Sequence, residues 1–267
     1  MKRMLVLTLL VALCSVNVHK LSAQDYIDGL YRAESTGEKK PMPLPIIREA
    51  DVMWEKTIWR EIDLRQKINQ GFYFPITPHN GLMNLYDVLF DAIKAGTITA
   101  YEADYDNMAT GEIKDPISYN ELMKKYIIID EDTVTSVSVE RFRIKEKWYF
   151  DKQRSQLLVR IIAIAPVTVP LDDNGDRKAP KMLFWVPYDD QTRTVLAKSP
   201  FYNRNNSSNR LSYDEVFLNR MFDSYIYRED NIYDRSIVEY ADGVEALMES
   251  ERIKQEIINK EQFLWEY

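Results

Sequence analysis

Cysteine and histidine are almost missing from this sequence. One Cys (Cys14) and two His (His19 and His79) occur in 267 residues. Cys14 and His19 fall in a stretch that reads as removable. Met1, Lys2 and Arg3 make a short positive start, and the apolar run from Met4 to Leu13 follows it, the pattern of a secretory signal peptide. The run is too short for a membrane span, which takes roughly 20 apolar residues. Leu21-Ser22-Ala23-Gln24 offers a small residue before a cut, so residues 1–23 are read as a signal peptide cleaved after Ala23, although Leu21 is larger than usual for its place. Cys14 admits a lipoprotein alternative. That cut prefers a small residue before the Cys, and Leu13 is not small.

Without that segment 244 residues remain, with no cysteine and only His79. A disulfide framework, a thiol nucleophile and a Cys-rich metal site are excluded, as is a zinc site built on several His of one chain. Lys2, Arg3 and Lys20 leave with the segment and no acid does, so the formal net charge moves from −7 to −10. An acidic balance opposes nonspecific binding to nucleic acid or anionic lipid. No second hydrophobic stretch approaches spanning length, so no direct membrane insertion is expected.

Glycine is also scarce, with eight in the chain. No G-x-G-x-x-G, G-x-x-x-x-G-K-[ST] or G-x-S-x-G occurs, so neither a phosphate cradle nor a nucleophile elbow is encoded. His79, between Pro78 and Asn80, reads as a structural or solvated turn residue, since a general base needs a positioned partner. Asp172, Asn174 and Asp176 have the first spacings of a calcium loop, but Arg177 and Leu183 stand where its Gly and Glu belong. Asn174-Gly175 reads instead as a type I′ hairpin turn. The acid clusters Asp104-Asp106, Asp130-Glu131-Asp132 and Asp189-Asp190 nominate no pair above another. They keep open the alternative of a periplasmic carboxylate-based hydrolase or binding protein. No catalytic residue, metal or cofactor is assigned.

What is present is a patterned α+β chain. Residues 24–50 form a Pro-containing arm in which Pro41-Met42-Pro43-Leu44-Pro45 is stiff and extended. The arm is either disordered or lies along a neighbour, with Leu44, Ile46 and Ile47 as anchors. Residues 51–267 are expected to form one α+β domain, a central antiparallel sheet of hairpin-connected strands flanked by amphipathic helices. From Asp51 to Asn69 the recurrence of Trp54, Ile58 and Ile62 at i, i+4, i+8 predicts a helix capped by Asp51 and ended near Gly71. Gly71 to Asn80 reads as a turn-rich strand segment, and Leu82, Leu85, Leu89 and Ile93 mark a helix over 81–95. Thr97 to Tyr101 reads as a strand, and Ser118-x-x-Glu121 as a capping box.

Three strands are expected in the centre: Thr133 to Phe150 with a bulge between Val139 and Phe142, Leu157 to Val169 after a turn at Asp151–Arg154, and Met182 to Val186. Arg141, Arg143, Lys145 and Lys147 alternate on one sheet face, read either as a solvated face balanced by nearby acids or as a strip for an acidic partner. Ser212-x-x-Glu215 opens a helix over 216–227. A charged helix with Leu247, Ile253, Ile257 and Leu264 inward covers 244–264.

The stretch Val52-Met53-Trp54-Glu55-Lys56-Thr57-Ile58-Trp59-Arg60-Glu61-Ile62-Asp63-Leu64-Arg65-Gln66-Lys67-Ile68-Asn69, with Phe72-Tyr73-Phe74-Pro75 after it, closely resembles the signature of the GldN/PorN family. Leu85-Tyr86-Asp87, Lys181 to Tyr188 and Phe217-Leu218-Asn219-Arg220 add to the resemblance. It implies a non-enzymatic N subunit of the gliding-motility and type IX secretion machinery of Bacteroidota. Such a subunit is periplasmic and forms an outer-membrane-associated ring with the K lipoprotein and with lateral copies of itself. It engages the periplasmic part of the M subunit. Proteins exported by that system usually end in a β-rich sorting domain, whereas Ile253 to Tyr267 reads as a charged helix, as in a machine component. Trp54, Trp59, Arg60 and Arg65 are the candidate partner-contact residues of the signature.

Overall fold

The computed structural model describes residues 39–103, 113–129, 132–170, 177–203, 211–233 and 235–265. The hairpin turn expected at Asn174-Gly175 and the clusters Asp104-Asp106 and Asp130-Glu131 lie outside them. The sheet is built around a long hairpin of β6 (Val139–Asp151) and β7 (Gln156–Thr168). The Asp151 carboxylate accepts the backbone N–H groups of Gln153 (2.9 Å) and Arg154 (3.4 Å), fixing the turn where the sequence places it. The register shifts between Val139 and Arg141, the expected bulge.

The largest departure from expectation is the signature segment. Val52–Asp63 is a strand, β1, not a helix, and it pairs antiparallel with β6 from Trp54↔Phe150 to Asp63↔Arg141. The physical reason is parity. Positions 54, 58 and 62 are four apart, which fits a helical stripe but also puts all three on one face of a strand. Cross-strand pairing with the β-branched and aromatic side chains of β6 decides between the two readings.

β1 also pairs with β10 (Tyr225–Glu229) at one edge of the sheet. Here too a helix was expected. The helix opened by the Ser212 box spans only Tyr213–Leu218, and Arg220 turns the chain with φ 52°. The remaining strands are β2 (Ala100–Glu102), β3 (Pro116–Ile117), β8 (Lys181–Met182) and β9 (Phe184–Pro187). The eight-stranded sheet runs β10-β1-β6-β7-β9-β2-β3, with β8 on β7, antiparallel throughout. Two short strands, β4 (Ile128–Ile129) and β5 (Asp132–Thr133), pair apart from it. The chain is therefore α+β.

Helices α1 (Gln70–Tyr73), α2 (Leu85–Lys94), α3 (Tyr119–Leu122), α4 (Asp190–Lys198), α5 (Tyr213–Leu218) and α6 (Val244–Trp265) flank the sheet. α1 and a cis Phe74–Pro75 bond occupy the segment read as a turn-rich strand. Both capping boxes are formed: Ser118 with Glu121, and Ser212 with Glu215. Asp189 caps α4, its carboxylate accepting the Thr192 N–H at 2.8 Å, which assigns Asp189 of the Asp189-Asp190 cluster a structural use. One large core gathers Ile62, Phe142, Ile144, Ile164, Leu89 and Phe184. A smaller one holds Ile58, Ile226, Ile237, Ile253 and Ile257 against α6, with Trp54 and Trp148 packed on it. Leu247, expected inward, is 57% exposed.

Candidate interaction surfaces

β1 distributes the signature side chains over both sheet faces. Trp54, Ile58, Arg60 and Ile62 share one face, and Glu55, Trp59, Glu61 and Asp63 share the other. Trp59 is buried between the Arg228 guanidinium, 4.6 Å from its ring, and the Lys145 ammonium at 5.5 Å. Such stacking adds attraction to the burial. Arg60 is buried as well and donates to Ser224 Oγ and to the Ser224 carbonyl, both at 2.8 Å. Trp54 is half-buried. Arg65 is exposed in the turn after β1, where its Nε donates to Asp63 Oδ1 at 2.9 Å. The structure does not bring the four candidates to one surface.

The row of cations on β6 is satisfied from within. Glu61, almost fully buried, accepts from Arg141 (2.6 Å) and Arg143 (2.9 Å) and receives the Tyr225 hydroxyl. Burial alone would raise the Glu61 carboxyl, but Arg143, the Tyr225 hydroxyl and Arg141 outweigh it and hold it below the usual carboxylate range. Arg143 also lies 4.5 Å from the Tyr227 ring centroid, and burial pushes that phenol up to about 12. Lys147 pairs with Glu55 at 3.1 Å. The balancing acids come from odd positions of β1, a signal legible only once that segment is read as a strand.

An open apolar groove of about 950 Å³ lies elsewhere, between α1 with the segment after it and the α4–α5 connection. Ile68, Phe74, Pro75, Phe201, Tyr202 and Met221 give it an apolar lining, with Lys67 and His79 beside them. Gly71 makes the wall possible: a Cβ there would sit 2.2 Å from Phe201 Cζ. Phe201 in turn meets Phe72 edge-on at 5.3 Å between centroids. Asn69, fully buried, staples the base by donating to the carbonyls of Asp63 and Asp223 (2.9 Å each) and accepting the Asp223 N–H at 3.0 Å. The groove still leaves Ile68 58% exposed and Met221 46% exposed. His79 is exposed, its Nδ1 3.1 Å from the Thr77 carbonyl.

A family model described as "Gliding motility associated protein GldN" matches residues 47–266. The chain belongs to the GldN family. Membership places it among the components associated with gliding motility, and the resemblance of its signature stretch to that family is thereby established. No curated protein matches it. Among the described residues no helix is long and apolar enough to cross a membrane.

This GldN-family chain also carries charged groups that sequence reading did not single out. Arg193 and Asp214 are both buried and joined at 3.1 Å, and the Tyr188 hydroxyl donates to Asp214 at 2.6 Å. Arg193 Nη2 then donates to the Met42 carbonyl at 2.5 Å, Arg160 to the Pro45 carbonyl at 2.7 Å, and Lys39 pairs with Glu215 at 3.1 Å. From residue 39 on, the arm thus lies on its own domain through main-chain carbonyls. Ile46, an expected anchor, is 93% exposed, while Leu44 and Ile47 are half-buried. The residues that hold the arm, Arg160, Arg193 and Glu215, are far apart in sequence, and no spacing motif connects them.

Proposed function

We propose that this chain is a non-enzymatic scaffold subunit of the periplasmic part of the gliding and type IX secretion machinery. It assembles with a K-type outer-membrane lipoprotein into a ring and engages the periplasmic domain of the M-type inner-membrane subunit. The observation that carries this reading is GldN-family membership across 47–266. The apolar groove supports it, because an open surface with Ile68, Phe74 and Met221 exposed is of the kind that meets a macromolecule. Of the four signature candidates, Arg65 is the side chain exposed to such a partner.

The test is co-expression with the lipoprotein lacking its lipid anchor, followed by size-exclusion chromatography with light scattering. Co-elution as a multi-subunit species is expected. A clean monomer with no partner bound would overturn the reading.

A further inference from the structure

Two apolar surfaces have no partner among the described residues. One is the groove with Ile68, Phe74 and Met221 exposed. The other is on α6, where Val244, Leu247 and Met248 are spaced i, i+3, i+4, with the last two 57% and 67% exposed. That stripe lies opposite the side of the helix that buries Ile253 and Ile257. The buried side fixes the helix: the Ser250 hydroxyl accepts the Ile226 N–H at 2.8 Å, and the two isoleucines pack with Ile58 and Ile226. Among the described residues the stripe therefore faces away from the domain that holds it, and a second molecule can reach it.

We infer that the Val244–Leu247–Met248 stripe of one copy docks in the Ile68–Phe74–Met221 groove of the next. A short amphipathic helix presenting i, i+3, i+4 anchors is what an open apolar groove accepts. The charges agree. Lys67 borders the groove, which has no acid in its lining, and among the described residues it makes no ion pair. Glu245 borders the stripe, also without an ion pair among the described residues, and the helix carries Glu245, Glu249 and Glu251 before its first cation, Arg252. Complementary charges at the rim set register and discourage wrong pairings. Groove and stripe are different surfaces of the same chain, so the contact is head-to-tail, the geometry that closes into a ring or runs on as a filament. The inference rests on the scaffold reading and names its lateral contact.

The experiment uses the full chain co-expressed with its lipoprotein partner. Cys14 is the sequence's one cysteine, so Leu247→Cys and Met221→Cys introduce the reporting thiols. With both substitutions in each copy, a short bismaleimide is expected to give a ladder of covalent multimers of this chain, and either substitution alone no ladder. Charge reversal by Lys67→Glu or Glu245→Lys should each reduce the assembled fraction several-fold, and the two together should restore it. A normal complex with no ladder and no response to charge reversal overturns this contact and leaves the scaffold reading standing. Cross-linking of Met221→Cys to the lipoprotein overturns it too, by giving the groove another occupant. Absence of any complex in the unmodified protein fells the scaffold reading, and this contact with it.

Discussion

Glu146 has no exposed surface, and Arg220 reaches it through Nη1 at 2.7 Å from a backbone position with φ 52°. The pair sits on the β1–β6 face between the large core and the smaller α6 core, where Trp148 Nε1 adds a donor at 3.0 Å. Removing one member of a buried pair leaves the other charge uncompensated, at about 3–5 kcal/mol. Arg220 is about a third exposed, so the cost falls toward the low end of that range. Arg220→Ala should lower the denaturant midpoint accordingly. Arg220→Lys should recover only part of it, since the lysine keeps the charge but not the fork. A midpoint unchanged in Arg220→Ala would show that water replaces the arginine.

Gly71 is a second place where one residue sets the architecture. Gly to Ala within a helix ordinarily stabilises. Here the added Cβ would overlap the Phe201 ring at 2.2 Å, and that sign should reverse. Gly71→Ala is expected to cost roughly 1–3 kcal/mol, as overpacking does, and to swing Phe201 into the groove. Trimming the ring in Gly71→Ala/Phe201→Ala should remove the clash, leaving a coupling energy in a double-mutant cycle. Additive effects would place the ring elsewhere.

The fold class, the β6–β7 hairpin with its bulge, both capping boxes and the final helix were legible because each carries a local signal. β1 was not. Its apolar residues stand four apart, and at that spacing helix and strand share a face; only the pairing with β6, distant in sequence, separates them. β10 was obscured by the box at Ser212, which marks where a helix begins but not that Arg220 ends it. The four cations of β6 were visible as a row, yet Glu61 and Glu55, the partners of Arg141, Arg143 and Lys147, belonged to the segment misread as a helix. The groove is assembled from three separated stretches, and its key residue, Gly71, read simply as a helix stop.

Glu61 ties stability to pH. Its folded carboxyl lies below the ordinary value, so on acidification the unfolded chain takes up the proton first. The stabilisation is complete above the usual carboxylate range and is lost as pH falls through the folded value. Urea midpoints measured from about pH 7 to about pH 3 should therefore drop more steeply for the native chain than for Glu61→Gln. The variant should start lower at neutral pH, because Arg141 and Arg143 lose their carboxylate. Parallel curves would mean that Glu61 contributes nothing to acid sensitivity.

The arm separates two scales of interaction at one arginine. Arg193 holds Asp214 deep in the domain and offers Nη2 to the Met42 carbonyl. A chain beginning at Ile46 loses the Met42 and Pro45 contacts and the Lys39–Glu215 pair but leaves Arg193–Asp214 intact. A hydrogen bond from a charged donor contributes about 1.5–3 kcal/mol, and the partly exposed Lys39–Glu215 pair less than about 1 kcal/mol. The truncated chain should remain folded with a modest loss of stability. Arg193→Ala leaves the Asp214 carboxylate buried with only the Tyr188 hydroxyl, and should cost about 3–5 kcal/mol. Chemical denaturation of both variants decides it. If truncation is as damaging as Arg193→Ala, the arm is an integral part of the core and not a strap laid on its surface.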